Sequence, residues 1–338
     1  MPRERRNRLP QTNAWGFYEV RMESIGGLGA HLAGQILAEA AVIGMGLNGA
    51  HFSSYGSEKR GTPVKSYIRL SEPEKEIRIS SPADHPHLIA VFHDALLFLP
   101  STLQGLEPGG IVIANTRRSL EELQRRLALP QGTTLARLDA LGISVQEGTR
   151  INTAMLGAIA RVASFLETEA LKASIGKILG ARRRELLEAN LRTFDRGCQE
   201  IDVVVVEREP ASSSPAPEAP RLGYANTPLG GLLYSPGNSA NRDNSVSREG
   251  FIPALLLEKC THCGLCDMVC PDYCFAWEEG IDKRGRPAML LKGIDYQYCK
   301  GCLACVVVCP TKALVERADE EEFVQTHRVL LFGQFLGS

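Results

Sequence analysis

Apolar and polar positions change period repeatedly along the first 206 residues. Phe17–Ile25 (FYEVRMESI) and Pro63–Leu70 (PVKSYIRL) alternate as strands do. His87–Phe92 and Ile111–Asn115 are apolar runs of strand length. Between and after them the spacing is helical, over Ala30–Ile43, Leu120–Leu129, Thr153–Leu166 and Ile178–Gly197. Strands alternating with helices predict an α/β layered domain over residues 17–206, with a mostly parallel sheet.

The pattern then breaks. Residues 207–250 are rich in Ser, Pro, Gly, Ala and Asn (EREPASSSPAPEAP, then SPGNSANRDN). The first part reads as a linker extended by its prolines, the second as a segment wrapping over a neighbouring surface. Residues 251–316 form a small module in which Glu278–Lys292, with Asp282-Lys283-Arg284-Gly285 at its turn, predicts a β-hairpin. A tail, 317–338, carries an acidic run (Asp319 to Glu322) and then apolar Val329–Phe335. It reads as a solvated helix end followed by a packing segment, or as an arm for a partner.

Composition narrows the function classes. The chain has 338 residues, 44% hydrophobic and 23% charged, the profile of a globular protein of two or three domains. A net charge of −1 argues against nucleic acid as a partner. The basic start MPRERRNRLP has no apolar run behind it and does not read as a secretory signal. No stretch of 18 apolar residues offers a membrane span.

Eight of the ten cysteines fall into two runs of one spacing. They are Cys260-x2-Cys263-x2-Cys266-x3-Cys270-Pro271 and Cys299-x2-Cys302-x2-Cys305-x3-Cys309-Pro310. The x2 steps let one tight loop present three thiolates. The x3 step opens a short helix that carries the fourth away, and the proline cannot continue that helix. Zinc sites use pairs of CxxC instead. This is the signature of a bacterial ferredoxin with two [4Fe–4S] clusters, in which the fourth cysteine of each run serves the other cluster. The signature implies one cluster on Cys260, Cys263, Cys266 and Cys309, and another on Cys299, Cys302, Cys305 and Cys270. So small a module takes support from its clusters as much as from its core.

The other two cysteines, Cys198 and Cys274, read as free thiols, Cys274 as a packing residue. Reduced thiols beside iron–sulfur clusters point to the cytoplasm. His262, inside the first run, can tune a cluster by hydrogen bonding.

Gly26, Gly27 and Gly29 (IGGLG, from Ile25) lie between a strand and a helix, where backbone N–H groups can gather round an anion. A dinucleotide fingerprint fails there: GxGxxG from Gly27 meets Leu32, and Asn48 and Gly49 stand where a ribose-binding acid belongs. Two readings remain, a tight packing turn and a phosphate or cofactor contact shared with another subunit. Ser53–Pro63 reads as a loop whose small residues and Arg60 suit a carboxylate or phosphate, or as a plain solvated loop. His51, His85, His87 and His93 have no metal-ligand spacing, and Arg182-Arg183-Arg184 reads as a solvated helix face.

Three segments, IGGLGAHLAGQILAEAA (Ile25–Ala41), SYGSEKRGTPVKSYIRLS (Ser54–Ser71) and INTAMLGAIA (Ile151–Ala160), together resemble the gamma component of 2-oxoacid:ferredoxin oxidoreductases. REGFIPALLLEKCTHCGLCDMVCPD (Arg248–Asp272) and DYQYCKGCLACVVVCPTKAL (Asp295–Leu314) resemble the delta component, a small α+β dicluster ferredoxin-like subunit. The chain is thus similar to a gamma–delta fusion. The resemblance implies a non-catalytic electron-transfer subunit whose alpha and beta partners carry thiamine diphosphate and Mg and decarboxylate a 2-oxoacid. Electrons would leave to an external ferredoxin, and coenzyme A is a possible co-substrate of the complex. Gly26, Gly27, Gly29 and Arg60 would face that active site or coenzyme A. The wording around Arg60 (RGTPVK) leans toward pyruvate, with oxalate and other 2-oxoacids open. Two readings compete: an independent ferredoxin-type carrier with an appended α/β binding module, and a self-contained flavin or NAD enzyme, disfavoured by the broken fingerprint.

Overall fold

A computed structural model describes residues 9–55, 62–99, 101–179, 184–207, 230, 242–248, 250–282 and 284–331. The chain divides into two compact units, Met1–Ala216 and Pro217–Ser338.

The first unit is built on a seven-stranded sheet. Its strands are β1 (Tyr18–Ile25), β2 (Asn48–Tyr55), β3 (Pro63–Ser71), β4 (Leu88–Val91), β5 (Ile111–Asn115), β6 (Thr134–Leu138) and β7 (Asp202–Val205), in the order β2-β3-β1-β4-β5-β6-β7. The sheet is mixed rather than mostly parallel. β1/β4, β4/β5 and β5/β6 are parallel, whereas β2/β3, β1/β3 and β6/β7 are antiparallel. The difference arises because Asn48–Tyr55 is a strand, which leaves room only for a hairpin into β3. Ser53, Ser54 and Tyr55, expected in a loop, therefore lie on that edge strand.

Helices α1 (Ala30–Glu39), α2 (Leu120–Arg126), α3 (Ala140–Glu147), α4 (Ile151–Val162), α5 (Thr168–Leu179) and α6 (Arg184–Gln199) complete the unit. Of the helix expected over Ile178–Gly197, the described residues place Ile178 and Leu179 at the end of α5 and 184–197 in α6. α1 continues through a π-helical turn at Ala40–Gly44. Caps follow local chemistry: the Ser119 hydroxyl accepts from the Glu122 N–H (3.2 Å) at the start of α2, and Asp139 accepts from Gly142 (2.8 Å) at α3.

All of α4 from Ile151 to Ala160 is buried. Its small residues allow very close approach to α6. A Cβ added at Gly157 would stand 2.1 Å from the Phe194 carbonyl oxygen, and one at Gly197 2.1 Å from that of Ala154.

β1 shows why its alternation does not mean one wet face. Tyr18, Val20 and Met22 enter the main core, while Glu19, Arg21 and Glu23 on the other face are also buried. Those charges are paired. Arg21 Nε lies 2.9 Å and Lys65 Nζ 3.1 Å from Glu23 Oε1, and Arg69 pairs with Glu19. Arg21 also donates to the Thr102 and Gln104 carbonyls (both 2.8 Å), so irregular segments cover this face. Breaking one such buried pair costs more than the pair contributes, since it strands a charge.

The second unit holds the hairpin β9 (Phe275–Ile281) and β10 (Pro287–Ile294), together with β8 (Phe251–Leu255) paired to β11 (Leu314–Ala318). Asp282 Oδ1 accepts from the N–H groups of Arg284 (2.8 Å) and Arg286 (2.9 Å) and so closes the hairpin turn. Short helices α7 (Leu265–Met268) and α8 (Ala304–Val308) lie within the cysteine runs, and α9 (Glu321–His327) follows β11. Beyond α9, Arg328 pairs with Asp295 (2.6 Å) and the Leu331 N–H donates to the same carboxylate (3.0 Å), so the tail packs on the module this far. Most of 207–250 and all of 332–338 lie outside the described residues, as do Arg60, Arg182 and Arg183. Among the described residues no helix is long and apolar enough to cross a membrane.

Candidate metal centre

The two cysteine runs fold as two copies of one winding, offset by 299 − 260 = 39 residues. The backbone turns left-handed at three matched places in each copy. These are His262 (φ 54°) and Gly301 (72°), Gly264 (79°) and Leu303 (58°), and Tyr273 (48°) and Lys312 (52°). Left-handed backbone costs a residue with a side chain roughly 1–2 kcal/mol. Every described non-glycine residue of positive φ lies in this module. Such strain persists only where the surroundings over-determine it.

The windings enclose two hollows. One is lined by Cys260, Cys263, Cys266 and Cys309, with Leu255, Trp277, Leu291 and Leu314 among its apolar walls. The other is lined by Cys299, Cys302, Cys305 and Cys270, with Pro253 and Phe275 beside them. Each hollow therefore meets three sulfurs from one run and one from the other. Among the described residues no three His, Cys, Asp or Glu side chains converge closely enough for a single metal ion.

Backbone N–H groups already point at sulfur. That of His262 donates to Cys260 Sγ (3.4 Å) and that of Ala313 to Cys309 Sγ (3.2 Å). Burial pushes the Cys266 thiol up to about 11 and that of Cys305 to about 12. Both are protonated at neutral pH without metal, so metal loading expels their protons. A hydrogen bond from Cys274 holds Cys270 down, to about 6. His262 Nδ1 accepts from the Leu291 N–H (2.9 Å), which places the ring proton on Nε2 and ties the first winding to β10.

Cys274, read from the sequence as packing, also lines the second hollow. The signal that marks it is the repeat itself: 274 + 39 = 313, and Ala313 stands there in the other copy.

In the first unit the glycine turn joins β1 to α1. The Gly26 N–H donates to the Thr62 carbonyl (2.8 Å) and that of Leu28 to Ile25 (3.3 Å), so two of its amides are already used. Gly29, left-handed at φ 85°, abuts Asn152 at the start of α4. Gly27 (φ 113°) has nothing within 4 Å of an added Cβ, which leaves its backbone open to approach. Close by, His31 Nδ1 on α1 lies 3.0 Å from Ser53 Oγ on β2, and His51 Nε2 on β2 lies 2.9 Å from Ser66 Oγ on β3. The two imidazoles are 4.9 Å apart. No spacing in the sequence suggests that pair.

Two family descriptions match the chain: "Pyruvate ferredoxin/flavodoxin oxidoreductase" over residues 19–200 and "4Fe-4S dicluster domain" over 259–313. Pyruvate synthase subunit PorC of Thermotoga maritima is 32% identical over 188 residues, 55% of this chain and 95% of that protein. The common gamma subunit of the pyruvate/ketoisovalerate oxidoreductases of Pyrococcus furiosus is 34% identical over 192 residues, 55% of this chain and 97% of that subunit. The crystal structure of the Thermotoga maritima PORC subunit covers 56% of this chain and 98% of its own, at 29% identity and a TM-score of 0.48.

Proposed function

The chain belongs to the pyruvate ferredoxin/flavodoxin oxidoreductase family, and from that membership we propose that it is the gamma–delta subunit of a thiamine diphosphate-dependent 2-oxoacid:ferredoxin oxidoreductase, with pyruvate as the 2-oxoacid. The observation that carries this reading is the pair of hollows, each lined by three cysteines of one run and the fourth of the other, on a chain whose first unit is of gamma type. Cys260, Cys263, Cys266 and Cys309 would hold one [4Fe–4S] cluster, and Cys299, Cys302, Cys305 and Cys270 the other. Clusters of this kind supply one-electron transfer at low potential. The protein's own part is to present the thiolates from both windings, to direct the His262 and Ala313 amides at ligand sulfurs, and to wall each hollow with apolar side chains.

We assign residues 17–206 to the gamma domain, 207–250 to the linker and wrapping segment, 251–316 to the delta domain and 317–338 to the tail. Decarboxylation, thiamine diphosphate and Mg belong in this reading to alpha and beta partner subunits, with coenzyme A as co-substrate and an external ferredoxin as acceptor. The Gly26–Gly29 turn, open at Gly27, and the segment around Arg60 are the surfaces we assign to that shared active-site or coenzyme A face. The Pyrococcus relative is common to pyruvate and ketoisovalerate enzymes, which supports placing substrate choice on the partner chains. Cytoplasmic residence follows from the oxygen-sensitive, thiol-rich chemistry proposed.

Anaerobic affinity purification from the native cell, with mass spectrometry of bound proteins and iron and thiamine quantitation, tests the reading. About eight irons per chain, four per cluster, together with thiamine-bearing partners are expected. Eight irons on a partner-free chain without thiamine would instead establish an independent electron carrier.

A further inference from the structure

The two windings match closely enough that their differences stand out. Four residues past its fourth cysteine, each winding turns back against a hollow. In the second copy that position is Ala313 and in the first it is Cys274, again 313 − 274 = 39 residues apart. The residue before it is left-handed in both, Tyr273 and Lys312. Both positions are buried, Ala313 at 1% and Cys274 at 2% exposure. Ala313 lines the hollow of Cys260, Cys263, Cys266 and Cys309, whereas Cys274 lines that of Cys299, Cys302, Cys305 and Cys270. A methyl group therefore faces one ring of sulfurs where a thiol faces the other. Cys274 Sγ lies 3.5 Å from Cys270 Sγ, within reach of a hydrogen bond between sulfurs.

Resting on the cluster assignment above, we propose that Cys274 is a positioning residue for the second cluster site: it remains a thiol, donates its S–H to the Cys270 ligand sulfur, and raises the reduction potential of that site alone. The direction of the bond is fixed by chemistry. A sulfur bound to iron has no proton to give, so Cys274 is the donor. Reduction places more negative charge on the ligand sulfurs, and a donor aimed at one of them stabilises the reduced form more than the oxidised form. The Ala313 side chain gives the first site no such donor. The two sites, alike in ligands and spacing, are thereby made unequal. Cys274 is not itself a fourth ligand, because Cys270-Pro271 holds the place that Cys309-Pro310 holds in the other copy.

The test uses the full chain, purified without oxygen as wild type, Cys274→Ala and Cys274→Ser, with iron counted and potentials read by redox titration followed by electron paramagnetic resonance. With about eight irons retained, Cys274→Ala is expected to shift one cluster to lower potential and leave the other in place. Cys274→Ser, which keeps an O–H donor, is expected to recover most of the shift. Unchanged potentials in Cys274→Ala at full iron content would overturn the proposal. So would loss of half the iron in Cys274→Ala with Cys270→Ala fully loaded, which would make Cys274 the ligand. A wild-type chain that never holds about eight irons would instead defeat the cluster assignment on which the proposal rests.

Discussion

Gly29 lies with its α-carbon against Asn152, so that an added Cβ would stand 3.2 Å from three atoms of that side chain. Its φ of +85° also ends the turn from β1 and opens α1. One residue thus serves both the strand-to-helix turn and the approach of α1 to α4. Gly29→Ala is expected to destabilise the first unit by about 1–2 kcal/mol from its backbone alone, with further loss from the Asn152 contact. Urea unfolding followed by circular dichroism measures this. An unchanged midpoint would mean the turn relaxes freely and has no packing role.

The α4–α6 crossing is closer still. Gly157→Ala and Gly197→Ala each place a methyl group where only 2.1 Å separates it from a backbone oxygen of the opposite helix. Backbone cannot swing aside as a side chain can, so the helices must part. A loss of about 1–3 kcal/mol per substitution is expected, read as a lower thermal midpoint. Since each glycine faces the other helix, the double variant should lose less than the sum of the singles.

Much of this was legible beforehand. The cysteine spacing announced eight sulfurs, and the period of apolar residues located β1, β3 and β5 within a residue, and α4 within two residues at its start and four at its end. β2 was missed because NGAHFSSY is small and polar, and only pairing along β3 makes it a strand. Local propensity yields there to tertiary pairing. The buried charges of β1 could not be foreseen either, since alternation looks the same whether the polar face meets water or paired partners. Cys274 reads as a packing residue because a lone cysteine resembles a small apolar residue until its counterpart, Ala313, is set beside it.

Acid is expected to weaken the first unit earlier than ordinary carboxylate titration would. Burial pushes His51 down to about 4, with His31 nearby adding to the shift, and burial also lowers His87. His87 Nδ1 accepts from the Glu19 N–H (3.1 Å), so protonating that nitrogen breaks the bond. Above the ordinary histidine value of 6.5, folded and unfolded chains are alike neutral at these sites. Below it the unfolded chain binds protons and the folded chain does not. Stability therefore falls as pH drops from 6.5, and the His51 contribution levels off near 4. Hydrogen exchange of peptides from residues 17–206 at pH 7 and pH 5 should show faster global opening at the lower pH. His51→Gln should flatten that dependence, and equal protection at the two pH values, after correction for the intrinsic amide exchange rate at each, would refute it.

Removing residues 251–338 separates the two roles assigned to the chain. A complex with that truncated chain is expected to keep part of its 2-oxoacid decarboxylation, followed as CO2 release, and to lose ferredoxin reduction. Normal ferredoxin reduction would show that electrons leave by another route.

The division of sulfurs between the hollows makes its own demand on mutants. Cys270 belongs to the first run but lines the hollow of Cys299, Cys302 and Cys305, while Cys309 lines that of Cys260, Cys263 and Cys266. Cys270→Ala should therefore damage the cluster held mainly by the second run, and Cys309→Ala the cluster held mainly by the first. Iron content with paramagnetic resonance identifies which signal is lost, and loss of the same-run cluster alone would reject the crossing. Crossing also means that neither winding can keep a full set of ligands without the other. The left-handed residues His262, Tyr273, Leu303 and Lys312 carry strain in both copies, with metal binding as the compensating term. Chelating the iron should accordingly loosen residues 251–316 as one body, with hydrogen exchange rising in both windings together, while peptides from β1 and α4 keep their protection.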